Sequence, residues 1–150
     1  MPKRITHATK QSQSALLIEV AWEVCNQVGG IYTVIRSKAP VMMQNWSGHF
    51  CMIGPYVNKN ILAELEPLED AADVFGLAAA NLRKRGYDVI YAEWLITGKP
   101  RVVLLNPNVI EENVLHVLKY LLWKSHSIQT PDKNELIDQV IGFAYLTKLF

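Results

Sequence analysis

One handover constrains this chain more than any other. Ala15-Leu16-Leu17-Ile18, carried on by Glu19-Val20-Ala21, is a short and nearly continuous apolar run, and past Gly29-Gly30 the pattern takes on a helical period. The apolar run suits a strand buried on both faces. Ile31, Val34, Ile35 and Lys38 then fall at helical spacing, so a helix is expected to open at or just after the glycines.

The alternation repeats downstream. His49-Phe50-Cys51-Met52-Ile53 reads as a second strand stopped by Gly54-Pro55, and residues 57–70 as a polar connection whose Glu64, Glu66, Glu69 and Asp70 form a solvated face. A helix is expected from about Ala71, with Phe75, Ala78, Ala79 and Leu82 as its apolar stripe and Gly86 as its stop. Arg83-Lys84-Arg85 then complements the helix dipole rather than forming a nucleic-acid patch. Tyr87–Tyr91 and Arg101–Leu105 read as further strands, the latter ending at Asn106-Pro107. Asn108 with Glu111 resembles a capping box ahead of Val114, Val117, Leu118, Leu121 and Leu122. Asp132 with Glu135 opens a last helix striped by Ile137, Val140, Ile141 and Ala144. Strands alternating with helices predict an α/β class, with a mostly parallel sheet and helices on both faces. The last apolar pattern runs to Phe150 without Gly, Asn or Pro to stop it, which leads us to expect an N-terminal domain of something longer.

Composition closes off several functions. The chain of 150 residues has room for one domain, expected over residues 15–150 after a disordered polar tail at 1–14. Its formal net charge of +1 gives no reason to expect nucleic-acid binding or attraction to an acidic membrane. No apolar stretch is long enough to span a bilayer, and no signal-peptide core follows the basic N-terminus. Cys25 and Cys51 have no CxxC or metal spacing and read as small reduced core residues of a cytoplasmic protein. His7, His49, His116 and His126 lack ligand spacing, so no metal is expected.

In parallel α/β sheets ligands sit at the carboxyl ends of strands, where residues 25–34 are expected to lie. Glycines let backbone N–H groups approach a ligand, and a helix N-terminus favours phosphate oxygens. Yet "VGG" is not GxGxxG, and spacing alone leaves a plain strand-to-helix turn and a ligand-facing loop both open. Glu19 and Glu23 flank the expected strand end, with one of them a candidate for a structural hydrogen bond to the loop. Trp22 and Tyr32 are candidates for either core or cleft, and Trp94 is expected under the sheet.

The wording of the segment says more. "IEVAWEVCNQVGGIYTVIRSKAP", "MIGPY" at 52–56, "YAEWLITGKPRVVLL" at 91–105, and "LLW" at 121–123 with "IGFAYLTKLF" at 141–150 resemble, in order, the eukaryotic-type glycogen synthases, a family of retaining glucosyltransferases. Residues 57–86 match only in pattern. The resemblance implies the GT-B architecture, two Rossmann-like domains facing across a cleft. It implies transfer of glucose from a nucleotide sugar, typically UDP-glucose, to the non-reducing end of an α-1,4-glucan, with no metal or other cofactor. Gln27, Gly29 and Gly30 would be the donor-binding loop, with Tyr32 and Glu23 lining the cleft. Family members usually carry Lys or Arg immediately before Val-Gly-Gly, where this chain has Gln27. A neutral amide there forgoes a charge-assisted bond to phosphate.

The family's catalytic groups lie later in the sequence, so no catalytic residue is expected among these 150, and the stretch by itself is expected to be inactive. The full-length protein could be a homo-oligomer. The alternative is a stand-alone, non-catalytic glucan-binding or regulatory module.

Overall fold

The structure is a computed structural model describing residues 15–69 and 71–150; the expected tail at 1–14, with His7, and Asp70 lie outside them. Among the described residues five strands, β1 (Leu17–Val20), β2 (Phe50–Pro55), β3 (Leu65–Pro67), β4 (Val89–Trp94) and β5 (Arg101–Leu105), form one sheet in the order β1-β2-β5-β4-β3. Helices α1 (Gly30–Trp46), α2 (Val74–Lys84), α3 (Glu112–His126) and α4 (Glu135–Leu149) complete the fold. Strands β1, β2 and β5 pair in parallel, and β4 runs antiparallel to both β5 and β3, so β4 alone points the other way. The cause is the short 95–100 connection, which makes a hairpin and is too short for a crossover. This is the expected α/β Rossmann-like sheet with one reversed strand.

Alternation assigns the two faces. Phe50 and Met52 of β2, Val102 and Leu104 of β5, and Ala92 and Trp94 of β4 meet Tyr32, Ile35 and Ala39 of α1. Cys51, Ile53, Val103, Leu105, Val89 and Tyr91 point the other way, against Phe75, Ala79 and Leu82 of α2 and Phe143 and Leu146 of α4. Helices therefore cover both faces, as expected.

Several local expectations are corrected. β1 is an edge strand, not one buried on both faces: Ile18 and Val20 are 42% and 48% exposed because no helix covers their side of it. Gly54-Pro55 does not stop β2 but belongs to it, in register with Leu104 and Leu105. The 57–70 connection contains a 3₁₀ turn at Lys59–Glu64 and the edge strand β3, too short to show a period. β4 begins later than expected and runs on to Trp94. α2 starts at Val74 behind an Asp73 N-cap, and Gly86, at φ +89°, follows its end as foreseen.

The helix faces differ more. α1 buries Tyr32, Ile35 and Ala39, while Ile31 and Val34 are more than half exposed. α3 is not opened by an Asn108 box: Asn108 lies in a 3₁₀ turn whose cap is Asn106, and the N-cap residue of α3 is Glu111, without a side-chain bond. None of its residues is buried. α4 is capped by Asn134, not Asp132, and buries Gly142, Phe143 and Leu146. Its expected stripe faces α3 instead, where Val140, Ile141 and Ala144 join Val117, Leu118 and Leu121 along an open apolar trough.

No helix among the described residues is long and apolar enough to cross a membrane.

Candidate functional site

The loop between β1 and α1 sits at the carboxyl end of the parallel strands. Beyond Val20 the chain stays tied to β2, because the Ala21 amide donates to the Ile53 carbonyl at 3.1 Å. It then turns: the Val24 amide donates back to the Ala21 carbonyl at 3.2 Å, and Val24 is wholly buried against Gly54. Gly54 of "MIGPY" is thus the seat of the loop, its missing side chain making room for the Val24 backbone. Buried Cys25 follows in a left-handed conformation, φ 55°, which a residue with a Cβ adopts at an energetic cost.

Gly29 is the N-cap residue of α1, in extended backbone (φ −151°, ψ −152°), and neither Gly29 nor Gly30 has the positive φ that demands glycine. Gly29 offers no cap of its own. Glu23 supplies one from across the turn: its Oε2 accepts from the Gly29 amide at 2.7 Å and the Tyr32 amide at 3.0 Å. An anion at this end of a helix satisfies orphan amides and complements the dipole. A Cβ on Gly29 would lie 3.2 Å from Glu23 Oε1, whereas one on Gly30 would meet no atom within 4 Å. So the two glycines differ: Gly29 is packed from within, and Gly30 faces open space. Among the described residues the amides of Gly30 and Ile31 have no acceptor.

Gln27 is exposed, as is Val28. Two other expected site residues turn inward. Glu23, half-buried, is the internal cap of α1. Tyr32, 5% exposed, is core rather than cleft lining: its ring packs on Trp94 at 5.6 Å, and its hydroxyl donates to Glu64 Oε2 at 3.4 Å. Trp94 Nε1 donates to the same oxygen at 3.1 Å, so Glu64 is not merely a solvated surface charge. Burial, and then the Glu64 charge, raise the Tyr32 hydroxyl above its ordinary pKa. Trp22, half-buried, meets Phe143 edge-on at 5.9 Å.

Cations near the loop are occupied. Arg36 lies over the Tyr32 ring at 5.3 Å and donates to its hydroxyl at 3.1 Å, while Lys38 pairs with Glu19. Residues 21–32 themselves contain no Lys or Arg. The thiols are poor nucleophiles: burial raises Cys25, and burial together with the Asp73 charge pushes Cys51 up to about 12. No group of three or more His, Cys, Asp or Glu converges to hold a metal among the described residues. What the loop can do chemically is donate hydrogen bonds, from two free amides and the Gln27 side chain, to a ligand that approaches at Gly30. Sequence reasoning missed Gly54 and Glu64 as parts of this unit. Gly54 carries a signal, because it sits in the MIGPY segment; Glu64 carries none, its partners lying far off in sequence.

Comparison with known proteins bears on the whole stretch. The family model described as glycogen synthase matches residues 19–150. The chain is 36% identical over 141 residues to a Neurospora crassa protein named glycogen [starch] synthase. It is 37% identical over 138 residues to the human protein named glycogen [starch] synthase, liver. It is 32% identical over 146 residues to Saccharomyces cerevisiae glycogen [starch] synthase isoform 1. These alignments take in 92–94% of this chain but only 20% of each relative's length.

Proposed function

Because this chain belongs to the glycogen synthase family, we propose that it forms one Rossmann-like half of a retaining GT-B glucosyltransferase, one that moves glucose from a nucleotide sugar, UDP-glucose, onto an α-1,4-glucan. In this reading the 27–31 loop is a wall of the donor site, and the reaction takes place in the cytoplasm without a metal or other cofactor. The observation that supports it most is the uncovered backbone at Gly30: a loop held by Glu23 and seated on Gly54 leaves two amides open at the carboxyl edge of the sheet. Amides aimed at a ligand in this way need no reorganisation when charge develops on a leaving group.

Residues 1–150 would bind but not turn over, since the groups that grip the sugar and the diphosphate lie outside them. The test is glucosyl transfer from UDP-glucose to glycogen by the full-length protein, compared with its Gly30→Val variant. We expect transfer by the parent, and at least about tenfold less by the variant at an unchanged melting temperature, as a side chain fills the approach. A parent protein that transfers glucose from neither UDP-glucose nor ADP-glucose sinks the reading.

Gln27 favours a second reading, a glucan-binding module without catalysis, because the loop carries no cation for phosphate. Glycogen affinity without nucleotide affinity in a binding titration is the result that would select it.

A further inference from the structure

We propose that the outer edge of β1 is a docking slot for a further strand of the same protein, parallel to β1 and supplied by the segment that follows residue 150.

The edge is open and apolar on both sides. The Ala21 amide donates to the Ile53 carbonyl of β2. Successive amides of a strand point to opposite sides, so those of Ile18 and Val20 point away from β2, to an edge that no strand among the described residues pairs with. On one face of that edge stand the exposed side chains of Ile18 and Val20. On the other stands a flank of α1. Tyr32, Ile35 and Ala39 turn that helix to the sheet, and its two flanks differ. One carries Thr33, Ser37, Pro40 and Gln44, with the 95–100 hairpin packed at Pro40 through Gly98. The other carries Ile31, Val34 and Val41, each more than half exposed, in one row with Lys38, which reaches across to Glu19 of β1. The flank that overhangs β1 is therefore the apolar one. Unpaired strand edges of this kind are normally covered or blunted.

Handedness identifies the occupant. α1 carries the chain from β1 to β2 across one face of the sheet, and crossovers between parallel strands are right-handed. α4 packs on the opposite face, where Phe143 meets Trp22 just past the end of β1. A right-handed crossover on that face travels the other way, from β5 towards β1. Both edges of β2 are taken, by β1 and β5, so the first free parallel edge in that direction is the outer edge of β1. The relatives run well past the match, which takes in only 20% of their length. The occupant is a short strand, apolar on both faces, as strands inside parallel sheets are. With it in place β1 becomes an inner strand, and the strand order reverses beside the Gly30 loop, where ligand crevices form.

The experiment is hydrogen exchange on the full-length protein, read at the amides of Ile18 and Val20. A diazirine side chain introduced at Val34 maps what covers the flank. We expect both amides to exchange at least about a hundredfold more slowly than unpaired ones, and the cross-link to join residue 34 to a peptide beyond residue 150 of the same molecule. Val34→Asp should lower the melting temperature by at least about 3 °C, whereas Ser37→Asp, on the polar flank, should leave it within about 1 °C.

Fast exchange at Ile18 and Val20 overturns the proposal. So does protection accompanied by cross-links to a second copy of the chain, or only to residues within 1–150. Equal melting temperatures for the two Asp variants mean an uncovered flank and overturn it as well. If Val34→Asp does not fold, exchange and the cross-link decide without it. None of these outcomes bears on the donor-loop reading, which glucosyl transfer tests.

Discussion

The carbonyl oxygen of Val24 lies 2.7 Å from the point where a Cβ on Gly54 would sit, and Val24 Cβ lies 2.8 Å from it. The β1–α1 loop and β2 are thus locked by a contact that only glycine allows. Neither neighbour is the loose end of a flexible side chain, so Gly54→Ala has to displace the loop. We expect a loss of about 1–3 kcal/mol, read by denaturant unfolding, and altered amide shifts at Gly29 and Gly30. An alanine variant as stable as the parent would show that the seat is not needed.

Gly30 and Glu23 should respond oppositely to alanine when stability is the readout. Gly30 opens a helix without positive φ and with free space at its Cα. Gly30→Ala should therefore be neutral, or stabilising by up to about 1 kcal/mol, while a larger side chain there obstructs the ligand. Glu23→Ala removes the acceptor of two amides and should lower stability by about 1–2 kcal/mol. Thermal melts of the two variants side by side check both signs.

Asp73 gives the fold an acid limit. It caps α2 through the amides of Phe75 and Gly76, accepts the Tyr91 hydroxyl at 2.8 Å, and lies 3.8 Å from Arg101. Burial works against its charge, but the Tyr91 and amide bonds and the Arg101 guanidinium outweigh it and hold the carboxyl below the ordinary Asp range. A folded-state pKa below the unfolded one stabilises fully above the unfolded value, about 3.9, and the contribution fades as pH falls through the folded value. Stability measured from pH 7 down to 2 should drop below about pH 4, and Asp73→Asn should flatten that limb.

The two sides of α4 and its neighbour α3 separate cleanly. Leu146 is wholly buried, whereas Leu121 on α3 is 47% exposed along the open trough. Leu146→Ala should destabilise by about 2–5 kcal/mol, and Leu121→Gln by no more than about 0.5 kcal/mol. Chemical denaturation of the two variants is enough. A large loss at Leu121 would mean that the trough is closed in solution.

Much of this was legible in the sequence where one residue type does one job. Gly86 marked the end of α2, Arg101–Leu105 announced β5, and Gly29-Gly30 announced the start of α1. The faces of α1 and α4 were not legible. "ELIDQVIGFAYLTKL" is apolar nearly all round, so periodicity could not choose a side. What chooses it is the close approach of Gly142 to the Pro107 carbonyl, 2.9 Å from an added Cβ, a contact between distant segments. β3 escaped because three residues at an edge show no period. At the candidate site the glycines and Gln27 were readable as a loop, and a structural bond from one of the two glutamates was foreseen. That the bond would be Glu23's, and that Tyr32 would turn inward to Trp94 and Glu64, depended on long-range packing.

The pairing of β2 with β5 has a consequence for how the molecule comes into being. Residues 51–55 find their partners only at 101–105, while β1–β2 and β4–β5 are closed over shorter spans. On the ribosome, every residue of β2 belongs in the interior, yet one of its edges waits while β3, α2 and β4 are still being made. Pairings so distant in sequence form slowly. A chain released at residue 100 should therefore be cut rapidly by protease within 50–55, and one extended past residue 110 should resist. If the shorter chain resists equally well, β2 is protected before its partner exists. Otherwise the newborn chain carries an open, apolar strand for as long as translation takes to deliver β5, and that interval is when it most needs shelter from its neighbours.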